Sequence, residues 1–360
     1  MKQHELTTEN VLPRLPEPLL AWYRENARDL PWRRTRDPYR IWVSEIMLQQ
    51  TRVAAVLGYY ARFLEAFPSV EALAAAPEDR LMKLWEGLGY YSRARNLQKA
   101  ARLVAERGSF PDTYEGLLAL PGIGDYTASA IASAAFGRRE AAVDGNVLRA
   151  VARITDCHDD ILDPKVKKAV RDQVQAVMPE DGESIRIFNQ AAMELGATVC
   201  VPNGPPRCGD CPARDFCQGR IRGTAETLPV KKPKKARRAE EKTVFLFLRD
   251  GKTALRKRPA AGLLAGLWEF PNVEGTLTEA TAPSAVASWG LELKAWKNRL
   301  TARHIFTHVE WHMTGYTLEV AGEGPEDFVW ADAEGLKEYA VPSAFARYYA
   351  EAMEQLGMRS

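Results

Sequence analysis

The sequence lacks several features that mark specialised classes of protein. No apolar run approaches the roughly 20 residues that a membrane helix needs, and the opening residues MKQHELTTENVLPRLPEP contain no apolar core of a signal peptide. We therefore expect a cytoplasmic protein with no membrane partner. An excess of one charge is also missing, because 49 Lys and Arg face 47 Asp and Glu. Any binding to nucleic acid must then come from local basic patches rather than bulk charge.

Cysteine is scarce but clustered. Four of the five cysteines fall within residues 200–217, as Cys200-x7-Cys208-x2-Cys211-x5-Cys217. In a cytosolic chain this clustering indicates a metal site before disulfides. A zinc ribbon needs two close cysteine pairs and only one pair is close here, whereas iron–sulfur clusters tolerate irregular spacing. The spacing favours an iron–sulfur cluster, with zinc or no metal as alternatives. Cys157 stands apart and reads as a small packed side chain.

The length of 360 residues and an apolar content of 46% predict two domains with sizeable cores. From about Leu19 to Leu195 the apolar spacing is helical, with Pro or Gly at the boundaries. The stretch LPVKKPKKARRAEEK (228–242) is charged and reads as a linker, either merely solvated or contacting a DNA backbone. We predict domains at 1–227 and 243–360: an all-α domain, then an α+β domain.

The second domain is predicted from alternating apolar segments. TVFLFLRD, a turn at Gly251 and KTALRKR form a candidate hairpin. LWEFPNV, HIFTHVEWHM and TGYTLEV are further strand candidates. Helices are predicted near Pro283–Trp289 and Pro342–Gln355.

The segment LLALPGIGDYTASAIASAAFG predicts two helices joined by a glycine turn. Gly122 and Gly124 permit a tight turn, and their missing side chains expose N–H groups beside a helix that begins near Asp125. This arrangement suits a phosphate oxygen. The pattern favours a helix-hairpin-helix that grips DNA over an ordinary helical hairpin.

Two carboxylates stand out against apolar surroundings. Asp144 follows an apolar run and precedes Gly145 and Asn146, where it is either a helix cap or a functional acid. Glu45 lies in WVSEIMLQQTRV, on an otherwise apolar helix start, where Ser44 or Glu45 alternatively belongs to a capping pattern. Its apolar neighbours indicate partial burial: Trp42, Val43, Ile46 and Leu48. A buried carboxylate is costly unless it is protonated or paired. One protonated and one ionised carboxyl are the usual equipment for cleaving a glycosidic bond.

LPGIGDYTASAI, VDGNVLRAVARI and a four-cysteine loop, in this order, resemble the endonuclease III superfamily. RDLPWRRTRDPYRIWVSEIMLQQT, WEGLGYYSRARNLQKAA and FNQAAMELGATVC resemble its MutY-type adenine-glycosylase branch, over nearly the whole chain. The resemblance implies a monomeric bacterial enzyme acting at the nucleoid. It would remove adenine mispaired with 8-oxoguanine or guanine from double-stranded DNA in base excision repair, after base flipping.

The resemblance also implies roles for individual residues. Glu45 would protonate adenine, Asp144 would stabilise the sugar cation, Tyr126 would bond to the carboxylate pair, and Asn146 would orient Asp144 or water. Matches to the adenine pocket are Arg28, Trp32, Arg33 and Gln190, although Arg33 alternatively contacts a phosphate. Matches to the residues that fill the gap left by the flipped base are Gln50 and Tyr90, although Tyr90 alternatively is a core aromatic.

Two positions depart from the family pattern. The first cysteine interval is x7 where x6 is usual, and we still expect a [4Fe–4S] cluster. Tyr126 stands where the lyases of the superfamily carry the lysine that forms a Schiff base, which implies a monofunctional glycosylase.

The C-terminal domain resembles a Nudix hydrolase without its magnesium-binding glutamates, because GLWEFPNVEG continues as TLTEATAPSAVASWG. This domain is expected to recognise the lesion rather than to hydrolyse a substrate. The turn in HIFTHVEWHM resembles the loop with which the family recognises 8-oxoguanine. Phe306 would probe the base step. Thr307, at a position where Ser is common, and His308 would hydrogen-bond to the oxidised base or its phosphate. The alternative is a plain strand pair.

Two other functions compete with the adenine glycosylase. A lyase for oxidised pyrimidines is disfavoured by Tyr126 and the C-terminal domain. A non-catalytic mismatch-binding module is disfavoured by the presence of both Glu45 and Asp144.

Overall fold

A computed structural model describes residues 10–232 and 236–357. The chain termini and the middle of the predicted linker lie outside these residues. The chain divides into two compact units. One comprises Met1–Ala75 and Asn96–Pro233, and the other comprises Ala76–Arg95 and Lys234–Ser360.

Helices dominate the described residues of the first predicted domain, as the apolar spacing predicts for about Leu19 to Leu195. The helices are α1 (Pro16–Asn26), α2 (Pro38–Leu48), α3 (Val53–Ala66), α4 (Val70–Ala75), α5 (Glu78–Trp85), α6 (Ser92–Arg107), α7 (Tyr114–Leu118), α8 (Asp125–Phe136), α9 (Gly145–Ile154), α10 (Pro164–Val177), α11 (Gly182–Thr198) and α12 (Gln218–Ile221).

Local sequence explains several helix starts. Asp37 accepts a hydrogen bond from the backbone N–H of Tyr39, and Pro38 occupies the first helical position of α2, where its missing N–H costs nothing. Asp163 and Pro164 start α10 in the same way. Glu45 thus lies near the end of α2, so the prediction that it stands at a helix start within a capping pattern is wrong.

Part of the core of the first unit lies between α9 and α11. Val147 and Val151 of α9 and Phe188 and Leu195 of α11 are buried in one apolar cluster. This packing holds the start of α9 beside α11. Two of the candidate site residues lie at this start of α9.

The segment Ala76–Arg95 groups with the second unit, although the sequence analysis assigned it to the first domain. Lys83 Nζ donates to the carbonyl of Tyr339 at 3.1 Å. The side chain of Glu86 accepts from the backbone N–H of Val341 at 3.0 Å. These polar contacts join residues more than 250 positions apart, which local sequence patterns do not reveal.

The second unit is built on a mixed sheet with the path β3-β2-β1-β6-β5, in which β4 also pairs with β1 and β7 with β2. Only β1 and β6 run parallel among these pairs. The strands are β1 (Arg238–Arg249), β2 (Lys252–Lys257), β3 (Trp268–Glu269), β4 (Asn272–Glu274), β5 (Glu292–Ile305), β6 (Val309–Ala321) and β7 (Phe328–Ala331).

Both faces of this sheet are covered. Val244 and Leu246 of β1 join one apolar cluster, whereas Phe245 and Phe247 join another, as the alternation of side chains along a strand requires. Two helices accompany the sheet near the predicted positions, α13 (Ala282–Ser288) and α15 (Ala346–Gln355), and the short α14 (Ala333–Leu336) follows β7.

The structure differs from the sequence analysis at three places in this unit. β1 begins at Arg238, so residues 238–242 belong to the sheet rather than the linker, and Lys242 is buried. The predicted strand HIFTHVEWHM is broken by the turn at residues 306–308, and its second half joins TGYTLEV in one continuous β6. β5 and β7 were not predicted. In β5 most positions are at least partly exposed, which removes the apolar alternation used to recognise strands.

Candidate active site

Glu45 projects from α2 into contact with α8. Its Oε2 accepts a hydrogen bond from the Tyr126 hydroxyl at 2.9 Å. The same hydroxyl lies 3.0 Å from the sulfur of Met193. Burial is the largest influence on Glu45 and, with the nearby charge of Asp144, raises its pKa to about 7 against the lowering effects of Tyr126 and Arg33. The surroundings therefore favour a protonated Glu45 near neutral pH.

Asp144 caps α9. Its Oδ1 accepts from the backbone N–H groups of Asn146 and Val147 at 2.9 and 2.8 Å, and its Oδ2 accepts from the Asn146 side chain at 2.7 Å. Burial raises the pKa of Asp144, while these hydrogen bonds and the charge of Arg149 favour its ionised form. The cap holds both oxygens in place, so the structural and functional interpretations of Asp144 are compatible.

These carboxyl groups face one cavity of about 510 Å³. Nine residues proposed from the sequence line it: Arg28, Trp32, Arg33, Glu45, Gln50, Tyr126, Asp144, Asn146 and Gln190. They come from five separate stretches of the first unit. A cavity of this size holds a purine base.

The sequence analysis named neither Glu194, which lines the cavity, nor Tyr23, which hydrogen-bonds to one of the lining residues. Glu194 pairs with both Arg28 and Arg33 at 2.7 Å. The Tyr23 hydroxyl donates to Gln190 at 2.8 Å. A signal for Glu194 was present, since it follows Gln190 by four positions on a helix and therefore shares its face.

Asn146 also connects Asp144 to the cysteine-rich segment. Its side-chain oxygen accepts from Arg149 at 2.9 Å. Arg149 is buried and donates to the carbonyls of Cys200 and Gly196, both at 2.8 Å. A continuous chain of hydrogen bonds thus runs from Asp144 to the first residue of the cysteine loop.

Only one of the two glycines in the turn before α8 has the positive φ that we expect of both from the sequence. Gly122 has a φ of 78°, which few other residues adopt, while Gly124 precedes α8 with a φ of −100° and no side-chain cap. A Cβ added at Gly124 would meet no atom within 4 Å. The N–H groups at the start of α8 are therefore accessible to an anion.

Gln50 and Tyr90 share an uncommon backbone conformation. Their φ angles are 58° and 47°, and both residues are exposed. Positive φ at a residue other than glycine is strained and clusters at functional sites. Tyr90, 47% exposed, is not a core aromatic.

Phe306, Thr307 and His308 form the turn between β5 and β6. Phe306 packs against Trp311, with ring centroids 4.8 Å apart. Thr307 and His308 are exposed, and the Thr307 hydroxyl lies 2.8 Å from that of Tyr90. The α13 helix, which precedes β5, contains no Asp or Glu, so the acidic helix of a Nudix hydrolase is missing at this position.

Cys200, Cys208, Cys211 and Cys217 line one small cavity together with Arg153 and Arg220. Arg153 donates to the Cys200 sulfur at 3.4 Å. Cys157 does not line this cavity. Within residues 10–232 and 236–357, no three potential ligands converge as a single metal ion requires. The four cysteines thus line a common space that also has cationic side chains in its wall.

Comparison with known proteins agrees with this geometry. A model described as HhH-GPD superfamily base excision DNA repair protein matches residues 43–176, and a NUDIX domain model matches residues 243–351. An adenine DNA glycosylase from Homo sapiens is 35% identical over 92% of this chain and 72% of the human protein. The chain belongs to the adenine DNA glycosylase family. It is a base excision repair enzyme, a hydrolase of N-glycosyl bonds in DNA.

Further relatives agree with the membership. An adenine DNA glycosylase from Buchnera aphidicola subsp. Baizongia pistaciae is 32% identical, over 83% of each chain. A solved thermostable thymine-DNA glycosylase is 29% identical, with a TM-score of 0.53 over 59% of this chain and 98% of that one. The predicted fold class, a helix-hairpin-helix glycosylase domain plus a Nudix-like domain, is confirmed. No helix in the described part of the chain is long and apolar enough to cross a membrane.

Proposed function

We propose that this enzyme removes adenine paired with 8-oxoguanine, or with guanine, from double-stranded DNA. The observation that carries the proposal is the pair Glu45 and Asp144 in one cavity, with different hydrogen-bond partners. Because their environments differ, one carboxyl can stay protonated while the other is ionised, and cleavage of a glycosidic bond needs both forms. The enzyme acts as a monomer in the cytoplasm, at the bacterial nucleoid.

The two carboxyls divide the reaction between them. Protonated Glu45 donates to a ring nitrogen of the flipped adenine, so the base leaves as a neutral molecule with the electron pair of the broken C–N bond. Ionised Asp144 stabilises the resulting oxocarbenium ion, and water adds to the sugar carbon. Tyr126 hydrogen-bonds to Glu45, and Asn146 orients Asp144.

Other residues bind the substrate. Arg28, Trp32, Arg33 and Gln190 surround the adenine, and Gln50 and Tyr90 fill the space that it leaves in the duplex. Gly122 and Gly124 present N–H groups to a DNA phosphate. Phe306, Thr307 and His308 read the base opposite the adenine, because 8-oxoguanine differs from guanine by one carbonyl and one N–H.

Cys200, Cys208, Cys211 and Cys217 would hold a [4Fe–4S] cluster. Such a cluster would tie together the loop between α11 and α12, and Arg153 and Arg220, which line the same cavity, would offset its charge. Gly204, Pro205 and Pro206 lie in the long first interval and would hold the additional residue as a bulge.

A cleavage assay tests the proposed activity. The substrate is a duplex with one adenine opposite 8-oxoguanine, incubated with enzyme and then treated with or without alkali. We expect strand breaks at the adenine only after alkali, because Tyr126 cannot form the Schiff base that nicks a strand. Breaks without alkali would identify a lyase, and binding without any excision would identify a mismatch-binding module. Either result overturns the proposal.

A further inference from the structure

Glu194 is the most deeply buried ion-pairing carboxylate of the first unit, and the roles proposed above leave it unused. Its side chain is 0% exposed. Its Oε1 accepts from Arg28 Nε at 2.7 Å and from the Arg28 backbone N–H at 3.1 Å. Its Oε2 accepts from Arg28 Nη2 and Arg33 Nη2, each at 2.7 Å. Four hydrogen bonds on one carboxylate fix the guanidinium groups of two arginines.

Glu194, Arg28 and Arg33 form a triad whose contacts define one wall of the adenine cavity. Arg33 also donates to the Arg28 carbonyl at 3.1 Å, and its guanidinium lies 5.5 Å from the ring centroid of Tyr23. Tyr23 donates in turn to Gln190. Arg28, Arg33, Glu194 and Gln190 all line the cavity. Glu194 therefore shares the cavity wall with the two arginines that it holds.

The triad has an electrostatic effect besides its geometry. Two guanidinium groups and one carboxylate carry a net charge of +1, and removal of the carboxylate charge would leave +2 on the two arginines, of which Arg33 acts electrostatically on Glu45. Burial opposes ionisation of Glu194, but the hydrogen bonds from Arg28 and Arg33 outweigh it and lower its pKa to about 2. Glu194 thus stays negative throughout the pH range in which Glu45 titrates.

We infer that Glu194 is a positioning residue for adenine excision: it holds Arg28 and Arg33 in the cavity wall and offsets their positive charge beside Glu45. This inference rests on the proposed role of Glu45 as the proton donor. A more positive wall would favour the ionised form of Glu45, which has no proton to donate.

The groups that face Glu45 come from several elements. Tyr126 of α8 donates to it, Asp144 at the start of α9 adds negative charge, and Arg33 adds positive charge. Met193 of α11 contacts the Tyr126 hydroxyl rather than Glu45 itself. Among these groups only Arg33 is a cation, so the strength of its field at Glu45 depends on how fully Glu194 neutralises it.

The test is the pH dependence of single-turnover excision with enzyme in saturating excess, so that DNA binding does not limit the rate. Wild type should lose activity as pH rises through the pKa of Glu45. Glu194→Gln keeps the size of the side chain and removes its charge. We expect its alkaline limb, the fall of the excision rate with rising pH, to move to lower pH by on the order of one unit. Its rate should recover towards wild type at pH 5.

Three further variants separate charge from damage. Glu194→Asp keeps the charge but shortens the reach, so its limb should stay at the wild-type pH while its rate falls. Arg33→Gln removes a cation, so its limb should move to higher pH. This opposite shift remains measurable if Glu194→Gln fails to fold. Glu269→Gln is the matched control, since Glu269 is buried between Arg256 and Arg258 in the second unit and should not move the limb.

The outcomes are distinguishable. Glu194→Gln with an equal loss of rate at every pH, or Arg33→Gln with an unmoved limb, overturns the inference while leaving the proposed function intact. A wild-type enzyme without an alkaline limb, or active Glu45→Gln, overturns instead the assignment of Glu45 on which the inference rests. Opposite shifts of the two limbs, with Glu194→Asp and Glu269→Gln unmoved, support it.

Discussion

At the scale of single residues, Glu45 and Asp144 differ because their partners differ. Glu45 has one neutral donor, the Tyr126 hydroxyl, whereas Asp144 accepts from two backbone N–H groups and an amide at the start of a helix. A helix N-terminus favours a negative charge. The same functional group, a carboxyl, is thereby suited to two different tasks.

Glu45→Gln should lower excision by at least ~10²-fold, because an amide cannot replace a general acid. It should also change stability. The pKa of Glu45 is raised from 4.5 to about 7, so ionisation of Glu45 destabilises the folded state as pH rises through this window. Thermal unfolding should find the variant more stable than wild type at pH 8, by on the order of 1–3 kcal/mol, and unchanged at pH 4. Equal stabilisation at both pH values would contradict the assignment.

Asp144→Asn should reduce excision by on the order of 10²–10³-fold or more, the scale of lost electrostatic stabilisation, yet preserve DNA binding. Asn is as good a helix cap as Asp, so α9 should stay intact and the melting temperature should change little. Single-turnover kinetics and a binding titration check both halves. Near-normal excision would remove Asp144 from the mechanism.

At the scale of elements, the glycine turn before α8 separates a binding role from a folding role. Gly124→Ala is tolerated by the backbone, since no atom lies within 4 Å of the new methyl group. The methyl group would occupy the approach of a phosphate. We expect duplex binding to weaken by tenfold or more, the value of about 1.5–3 kcal/mol for a hydrogen bond to a charged group, without loss of stability.

Two other glycine variants serve as controls for this experiment. Gly182→Ala lies at the start of α11 with equal space around it, and should bind DNA as wild type does. Gly122→Ala combines a φ of 78° with a new Cβ only 2.6 Å from the Cβ of Asn96, so it should lower the melting temperature as well. Unchanged binding by Gly124→Ala would show that the turn does not grip the backbone.

The cysteine loop predicts a metal content. The purified protein should contain about four irons per chain, and Cys157→Ser should retain them because Cys157 is not among the residues lining the cysteine cavity. Cys208→Ser should lose iron. Elemental analysis of anaerobically prepared protein measures both. Zinc without iron would show that the x7 interval has changed the site.

At the scale of the whole molecule, chemistry and lesion reading are assigned to different units. Glu45 and Asp144 belong to the first, and the turn Phe306–His308 belongs to the second. Thr307→Ala with His308→Ala should therefore lower the preference for adenine opposite 8-oxoguanine over adenine opposite guanine by on the order of 1–3 kcal/mol, without slowing excision opposite guanine. Excision rates and affinities on the two duplexes measure this preference.

Thr307→Ser is the matched control, because it keeps the hydroxyl and should have a mild effect. Full preference in the double variant would assign lesion reading to other residues. Truncation after residue 232 is a less specific test, because Ala76–Arg95 groups with the unit that would be removed.

The sequence by itself determined the features that depend on local pattern. Helical spacing and the Pro-Gly-Ile-Gly turn arise from interactions within a few residues, and they predicted the helical domain and the start of α8 correctly. Apolar surroundings singled out Glu45 and Asp144, whereas Tyr126 and Asn146 became candidates only through the family resemblance.

The tertiary structure decided what depends on residues far apart in the chain. Burial and the distant Tyr126 set the pKa of Glu45, and α2 placed Glu45 near a helix end that the motif had not indicated. Strand β5 is recognisable only beside β6 because its own side chains are mostly exposed. Glu194 meets Arg28 and Arg33 across more than 160 positions, and such a pairing exists only once α11 folds against the segment after α1.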